Sequence, residues 1–223
     1  MSPADRRAIA LVVAIAIGLF TTTTVGASTR LPPFTGSIST LDAATRQLMI
    51  GRSWHAGCPV PPRDLRLLRL TYYGFDGRAH QGELVVHRWY ATGFLRVFRR
   101  LYDERYPIRR MRLVDRYGAN DDRSMEADNT SAFNCRLRAG STTEWSQHAY
   151  GRAIDVNPVE NPFVTPTHVS PPAGVAFLDR RQGLPGMIHV HDRVWWAFHA
   201  IGWAWGGTWT GTIDYQHFSA NGR

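Results

Sequence analysis

The residues with the most chemical promise are His148 and Asp155, separated by Gly151, and an Asp214-Tyr215-Gln216-His217 quartet near the C-terminal end. Residues 153–156 read as a strand in which Ile154 and Val156 face a core. Gly151, Ala153 and Asp155 share the other side, where the two small residues leave space beside the carboxylate. An imidazole before the glycine turn and a carboxylate on the strand can converge on one point. A catalytic zinc takes three protein ligands and keeps one position for water, and His217 offers the third donor. Asp214 and His217 lie three positions apart, so they can serve one site only across a turn. His217 would then coordinate the metal and Asp214 would accept a proton from water.

Other residues compete for attention. His189 and His191 would share a face of a strand and could chelate a metal, but no third ligand with an acid beside it accompanies them. Trp203, Trp205 and Trp209, set among Gly202, Gly206 and Gly207, are ordinary core candidates, with an aromatic cleft wall as the less common use of such residues.

Elements must hold these side chains in place. Residues 67–73 and 83–87 read as two strands around the turn Gly74-Phe75-Asp76-Gly77. Phe94, Val97, Phe98, Leu101 and Tyr102 recur at helical spacing, which predicts an amphipathic helix over 91–104, ended by Pro107. A strand is expected at 111–115, a polar surface loop at 118–129, and a second helix at 193–201 with Gly202 as its stop.

A chain of 223 residues with 43% hydrophobic and 12% aromatic content can bury one sizeable core and is too rich in aromatics for disorder. Its net charge is +8 and every basic residue except histidine is Arg. That favours an anionic partner, although much of it is expected to be a solvated face. Arg6-Arg7, the apolar run 8–20 and Val25-Gly26-Ala27 form a secretion signal pattern, giving a signal peptide at 1–27; an uncleaved membrane anchor is the alternative, and transient membrane contact through this segment is a further expectation. Residues 28–56, rich in Thr, Ser and Pro, are expected to be a linker or stalk, and 57–223 the catalytic domain. Cys58 and Cys135 form an even pair that an oxidising compartment would bridge. Export and scattered basic charge argue against a nucleic-acid partner.

The pattern Ser146-x-His148-x-x-Gly151-x-Ala153-x-Asp155, followed by the acid-x-x-His element at 214–217, resembles the zinc D-alanyl-D-alanine carboxypeptidase family. That family includes vancomycin-resistance carboxypeptidases, dipeptidases and phage L-alanyl-D-glutamate endolysins. The resemblance is expected to run from about Gly57 to Phe218. It implies an α+β fold, a small antiparallel sheet with helices packed on it and a zinc cleft at the sheet. It also implies Zn2+ on His148, Asp155 and His217, with Asp214 as the catalytic acid where many members have Glu. The family's substrate-binding Arg usually lies in a Gly-Tyr-Arg-Ser element absent here, leaving Arg136 and Arg123 as candidates, with Arg136 preferred for its place beside Cys135. Ser146 matches a position that contacts substrate. The implied function is an exported monomeric peptidase acting on peptidoglycan stem peptides, of D-alanyl-D-alanine carboxypeptidase type. A cell-wall endopeptidase and a non-catalytic zinc-stabilised peptidoglycan-binding module are the alternatives.

Overall fold

The computed structural model describes residues 31–222; the expected signal peptide at 1–27, residues 28–30 and Arg223 lie outside the described residues. The described residues are α+β, with small sheets that are mostly antiparallel and four α-helices.

The largest sheet is built on the expected hairpin. β1 (Gly36–Thr40) pairs antiparallel with β2 (Leu65–Gly74), which pairs antiparallel with β3 (Ala79–His87) across a turn in which Gly77 has φ +74°. α1 is Ala43–Met49, α2 is Ala91–Asp103, and β4 (Pro107–Ile108) adds in parallel to β2. On β2, Leu68, Leu70 and Tyr72 face one core with Phe94, Val97, Phe98 and Leu101 of α2. Leu65 and Leu67 face the other core with Leu41 and Met49. Burial on both faces explains why β2 reads as a dense apolar run instead of an alternation. Phe94 and Phe98 are fully buried, a contribution of roughly 1.5–3 kcal/mol each.

The stalk expected at 28–56 is a correction. From residue 31 onward this segment belongs to the domain: β1 extends the sheet, Asp42 caps α1 by accepting from Thr45 N at 2.8 Å, and Tyr102 OH donates to Pro32 O at 2.6 Å. Every β1 side chain is exposed, so backbone hydrogen bonds hold the strand and no hydrophobic pattern marks it.

Two further expectations shift. The strand at 111–115 is only β5 (Arg110–Met111), parallel to β6 (Asn129–Thr130), and a 3-10 turn follows at Val114–Tyr117. The loop at 118–129 contains α3 (Asp121–Glu126), capped by Asn120, whose side chain accepts from Arg123 N at 2.8 Å.

The remaining strands position the chemistry. β7 (Ala153–Asp155) pairs antiparallel with β12 (His217–Ser219), and β10 (Ala204–Trp205) flanks β12 on its other side. β8 (Phe163–Val164) pairs with β9 (Val169–Ser170) and with β11 (Ile213–Asp214), forming a separate small sheet. α4 (Arg193–His199) is capped by Asp192 and followed by Gly202 at φ +79°. Ile154, Val156, Phe198 and Phe218 seal the first core behind the β7–β12 ladder.

Candidate metal centre and cleft

His148 sits in a 3-10 turn, Gln147–Tyr150, that Ser146 caps by accepting from His148 N at 3.3 Å. The turn ends on Gly151 at φ +63°, where an added Cβ would lie 2.6 Å from His87 N. Only glycine meets both conditions. His148 Nδ1 donates to the carbonyl of Ala132 at 2.5 Å, because a carbonyl can only accept. That fixes the tautomer and leaves the Nε2 lone pair facing Asp155 and His217.

In the β7–β12 register His217 stands directly opposite Asp155. His148 Nε2 is 3.2 Å from Asp155 Oδ2, His217 Nδ1 is 3.2 Å from Asp155 Oδ1, and the two imidazole nitrogens are 3.3 Å apart. Both histidines are buried. Burial by itself raises the Asp155 carboxyl, but the two imidazoles outweigh it and hold it well below the usual carboxylate range.

These spacings fit a zinc ion. Ligands at about 2.0–2.1 Å around a tetrahedral zinc are separated by roughly 3.3 Å, and two nitrogens with one carboxylate are a catalytic zinc's usual donors. Among the described residues no fourth His, Cys, Asp or Glu joins this group.

Asp214 and His217 lie on strands of two different sheets, so the turn required between them is present. Asp214 Oδ1 is sealed from solvent and has no hydrogen-bond partner among the described residues. Its carboxyl is pushed up to about 6, chiefly by burial; His217 offsets part of the shift and the Asp155 charge adds to it. Gly206 lets this acid approach, since a Cβ there would lie 2.7 Å from Asp214 O and 3.0 Å from Asp214 Cβ.

All four side chains line an open cleft of about 910 Å³. Arg136 lines it too, in an ion pair with Asp121, and so does Ser146, whose hydroxyl caps the His148 turn. Arg123 is not among the lining residues and stands exposed on α3. Cys58 and Cys135 are disulfide-bonded, with Cα atoms 5.9 Å apart. The tryptophans divide: Trp203 and Trp205 are core, while Trp209 lines the cleft with its ring 5.4 Å from that of His217. His189 and His191 do not lie on a strand, and the structure assembles no metal-binding group around them among the described residues.

Sequence reasoning missed the Ala132 carbonyl, Gly206, Gln216 and Arg152. The last two sit inside the motifs: Gln216 is buried beside Asp214 with Nε2 3.4 Å from Met125 Sδ, and Arg152 follows Gly151 directly.

Two imidazoles, one carboxylate and a neighbouring acid at the floor of an open cleft define a candidate metal centre suited to hydrolysis. Residues 139–220 match the family model described as D-alanyl-D-alanine carboxypeptidase, so the chain is similar to that family over that span. His148, Asp155, Asp214 and His217 all fall within it. The match starts at residue 139, so the earlier part of the expected resemblance, from Gly57, lies outside it. Comparisons with curated proteins and with solved structures gave no significant match.

Proposed function

We propose that this chain is an exported zinc peptidase that hydrolyses peptidoglycan stem peptides, with an activity of D-alanyl-D-alanine carboxypeptidase type. The observation that carries the reading is the convergence of His148 Nε2, Asp155 and His217 Nδ1 at 3.2–3.3 Å, with Asp214 beside them. A zinc ion held there supplies Lewis acidity toward a peptide carbonyl and toward water. Asp214 would take the proton of the attacking water and pass it to the leaving amine, a role suited to a carboxyl that lines the cleft beside the three donors with Oδ1 unpartnered among the described residues. The Ala132 carbonyl keeps His148 in the tautomer that ligation needs.

One observation favours the endopeptidase alternative: Arg136, the expected anchor of a substrate carboxylate, is already paired with Asp121. A purely structural zinc would call for a fourth protein ligand and no poised acid, which weighs against a binding module. Export rests on the N-terminal signal pattern and accords with the disulfide.

The test is incubation of zinc-loaded protein with muropeptides of defined stem, reading products by mass. Loss of one alanine supports the carboxypeptidase, an internal cut transfers the reading to the endopeptidase, and no cleavage with zinc bound leaves the binding module. Asp214→Asn should lower turnover roughly 10²–10⁴-fold with zinc still bound, and an unchanged rate would remove its assigned role.

A further inference from the structure

We propose that Arg152 is the residue that receives a substrate carboxylate in the cleft, an inference that rests on the peptidase reading above. Three arginines line the cleft: Arg136, Arg138 and Arg152. Two are already neutralised, Arg136 by Asp121 and Arg138 by Glu144. Among the described residues Arg152 has no carboxylate partner.

Its guanidinium is nevertheless held. Nε donates to Gln147 Oε1 at 2.7 Å, and the planar group lies 4.4 Å from the centre of the Tyr150 ring. Among the described residues those contacts leave Nη1 and Nη2 without an acceptor, and their end-on fork matches the two oxygens of a carboxylate. The backbone is anchored as well: Arg152 N donates to Gln147 O at 3.3 Å and Ala220 N donates to Arg152 O at 3.1 Å. Arg152 therefore continues the ladder that carries Asp155 and His217, and its position relative to both is set before substrate arrives. A cation restrained in this way loses little freedom on binding, whereas Arg136 must first give up Asp121.

A stem peptide offers two kinds of carboxylate, that of its terminal D-alanine and the free one on D-glutamate. Both present the same chemistry, and amides distinguish them. The experiment compares synthetic stem peptides with both carboxylates free, with a C-terminal amide, and with the D-glutamate carboxylate amidated, on zinc-loaded wild type, Arg152→Gln and Arg152→Lys. On the free-acid peptide Arg152→Gln should raise KM roughly 10- to 100-fold, the loss of a charge-assisted bidentate contact, with kcat changed by less than about threefold. Arg152→Lys should recover only part, because it restores charge and not the fork.

In wild type, amidating one of the two carboxylates should reproduce the defect, and in Arg152→Gln the same amide should add nothing. A terminal amide acting this way places the terminus on Arg152, and a glutamate amide places the side carboxylate there; either supports the proposal. An unchanged KM in Arg152→Gln, or an amide penalty as large in the variant as in wild type, overturns it. Should Arg152→Gln not fold, Arg152→Lys and the amide series carry the same test. If wild type cleaves none of the peptides the peptidase reading fails separately. Calorimetric binding of the free-acid peptide then decides the Arg152 assignment: equal affinity in wild type and variant overturns it, and a 10- to 100-fold loss supports it.

Discussion

Removing the disulfide should cost stability first and the metal site second. Cys58 and Cys135 are 77 positions apart, and closing a loop of about 78 residues is worth roughly 4.5 kcal/mol in the chain-entropy model. Against a typical domain stability of about 5–15 kcal/mol, that is a large share. Cys135 is buried in the second core, its N donates to Ser53 O at 2.9 Å, and the segment before it braces the site. Ser131 and Asp155 exchange backbone hydrogen bonds at 2.9 and 3.0 Å, Ala132 holds His148 Nδ1, and Asn134 N donates to His148 O at 3.3 Å. These bonds survive loss of the bridge, so Cys58→Ala with Cys135→Ala should unfold at lower urea concentration, by about 4 kcal/mol, while zinc affinity falls less than about tenfold. Reductant should destabilise wild type to the same level and leave the double variant unmoved. A stability change below about 1 kcal/mol, or loss of zinc without loss of stability, would show that this brace does not work as described.

Two other perturbations test the local physics. Gly151→Ala places a Cβ 2.6 Å from a backbone nitrogen at φ +63°, so it should destabilise by about 3 kcal/mol and weaken zinc binding through the displaced His148 turn; urea unfolding with zinc titration checks both. Glu160, buried beside Asp128 and near Arg109, has its carboxyl pushed up to about 8, chiefly by burial and then by the Asp128 charge. An acid raised in the folded state holds a proton that the unfolded chain releases near pH 4.5. Its stabilising contribution is thus present below that value and lost as pH rises toward 8. Glu160→Gln should become more stable relative to wild type by a few kcal/mol between pH 6 and 8.5, and a difference that stays flat across that range counts against the shift.

Legibility in the sequence followed the physics of each element. The helix α2 was readable because its apolar residues repeat with the helical period and all bury one face. The grouping of His148, Asp155 and His217 was readable because donors, a glycine turn and small neighbours occur there at short fixed spacings. β1 was not, since its side chains are exposed and backbone pairing alone holds it. Nor was α3, a six-residue polar helix that depends on the Asn120 cap. The arginine proposed to meet a substrate carboxylate was hidden for a different reason: which of Arg136, Arg138 and Arg152 lacks a carboxylate partner depends on Asp121 and Glu144 reaching two of them, a matter of side-chain pairing in space.

The β7–β12 ladder joins these threads. Side chains alternate across a strand, so a one-residue slip would turn His217 away from Asp155 and bring Gln216, which is no zinc ligand, toward the metal position. The same slip would replace Ala220 as the donor to the Arg152 carbonyl and shift that guanidinium relative to Asp155. The candidate metal centre and the proposed anion site therefore share one register. Ile154 and Phe218, fully buried partners in the ladder, enforce it, because a slip would expose both to water at a cost of roughly 1.5–3 kcal/mol each. The apolar residues between the functional ones thus set the distance that the proposed substrate would span from bond to carboxylate.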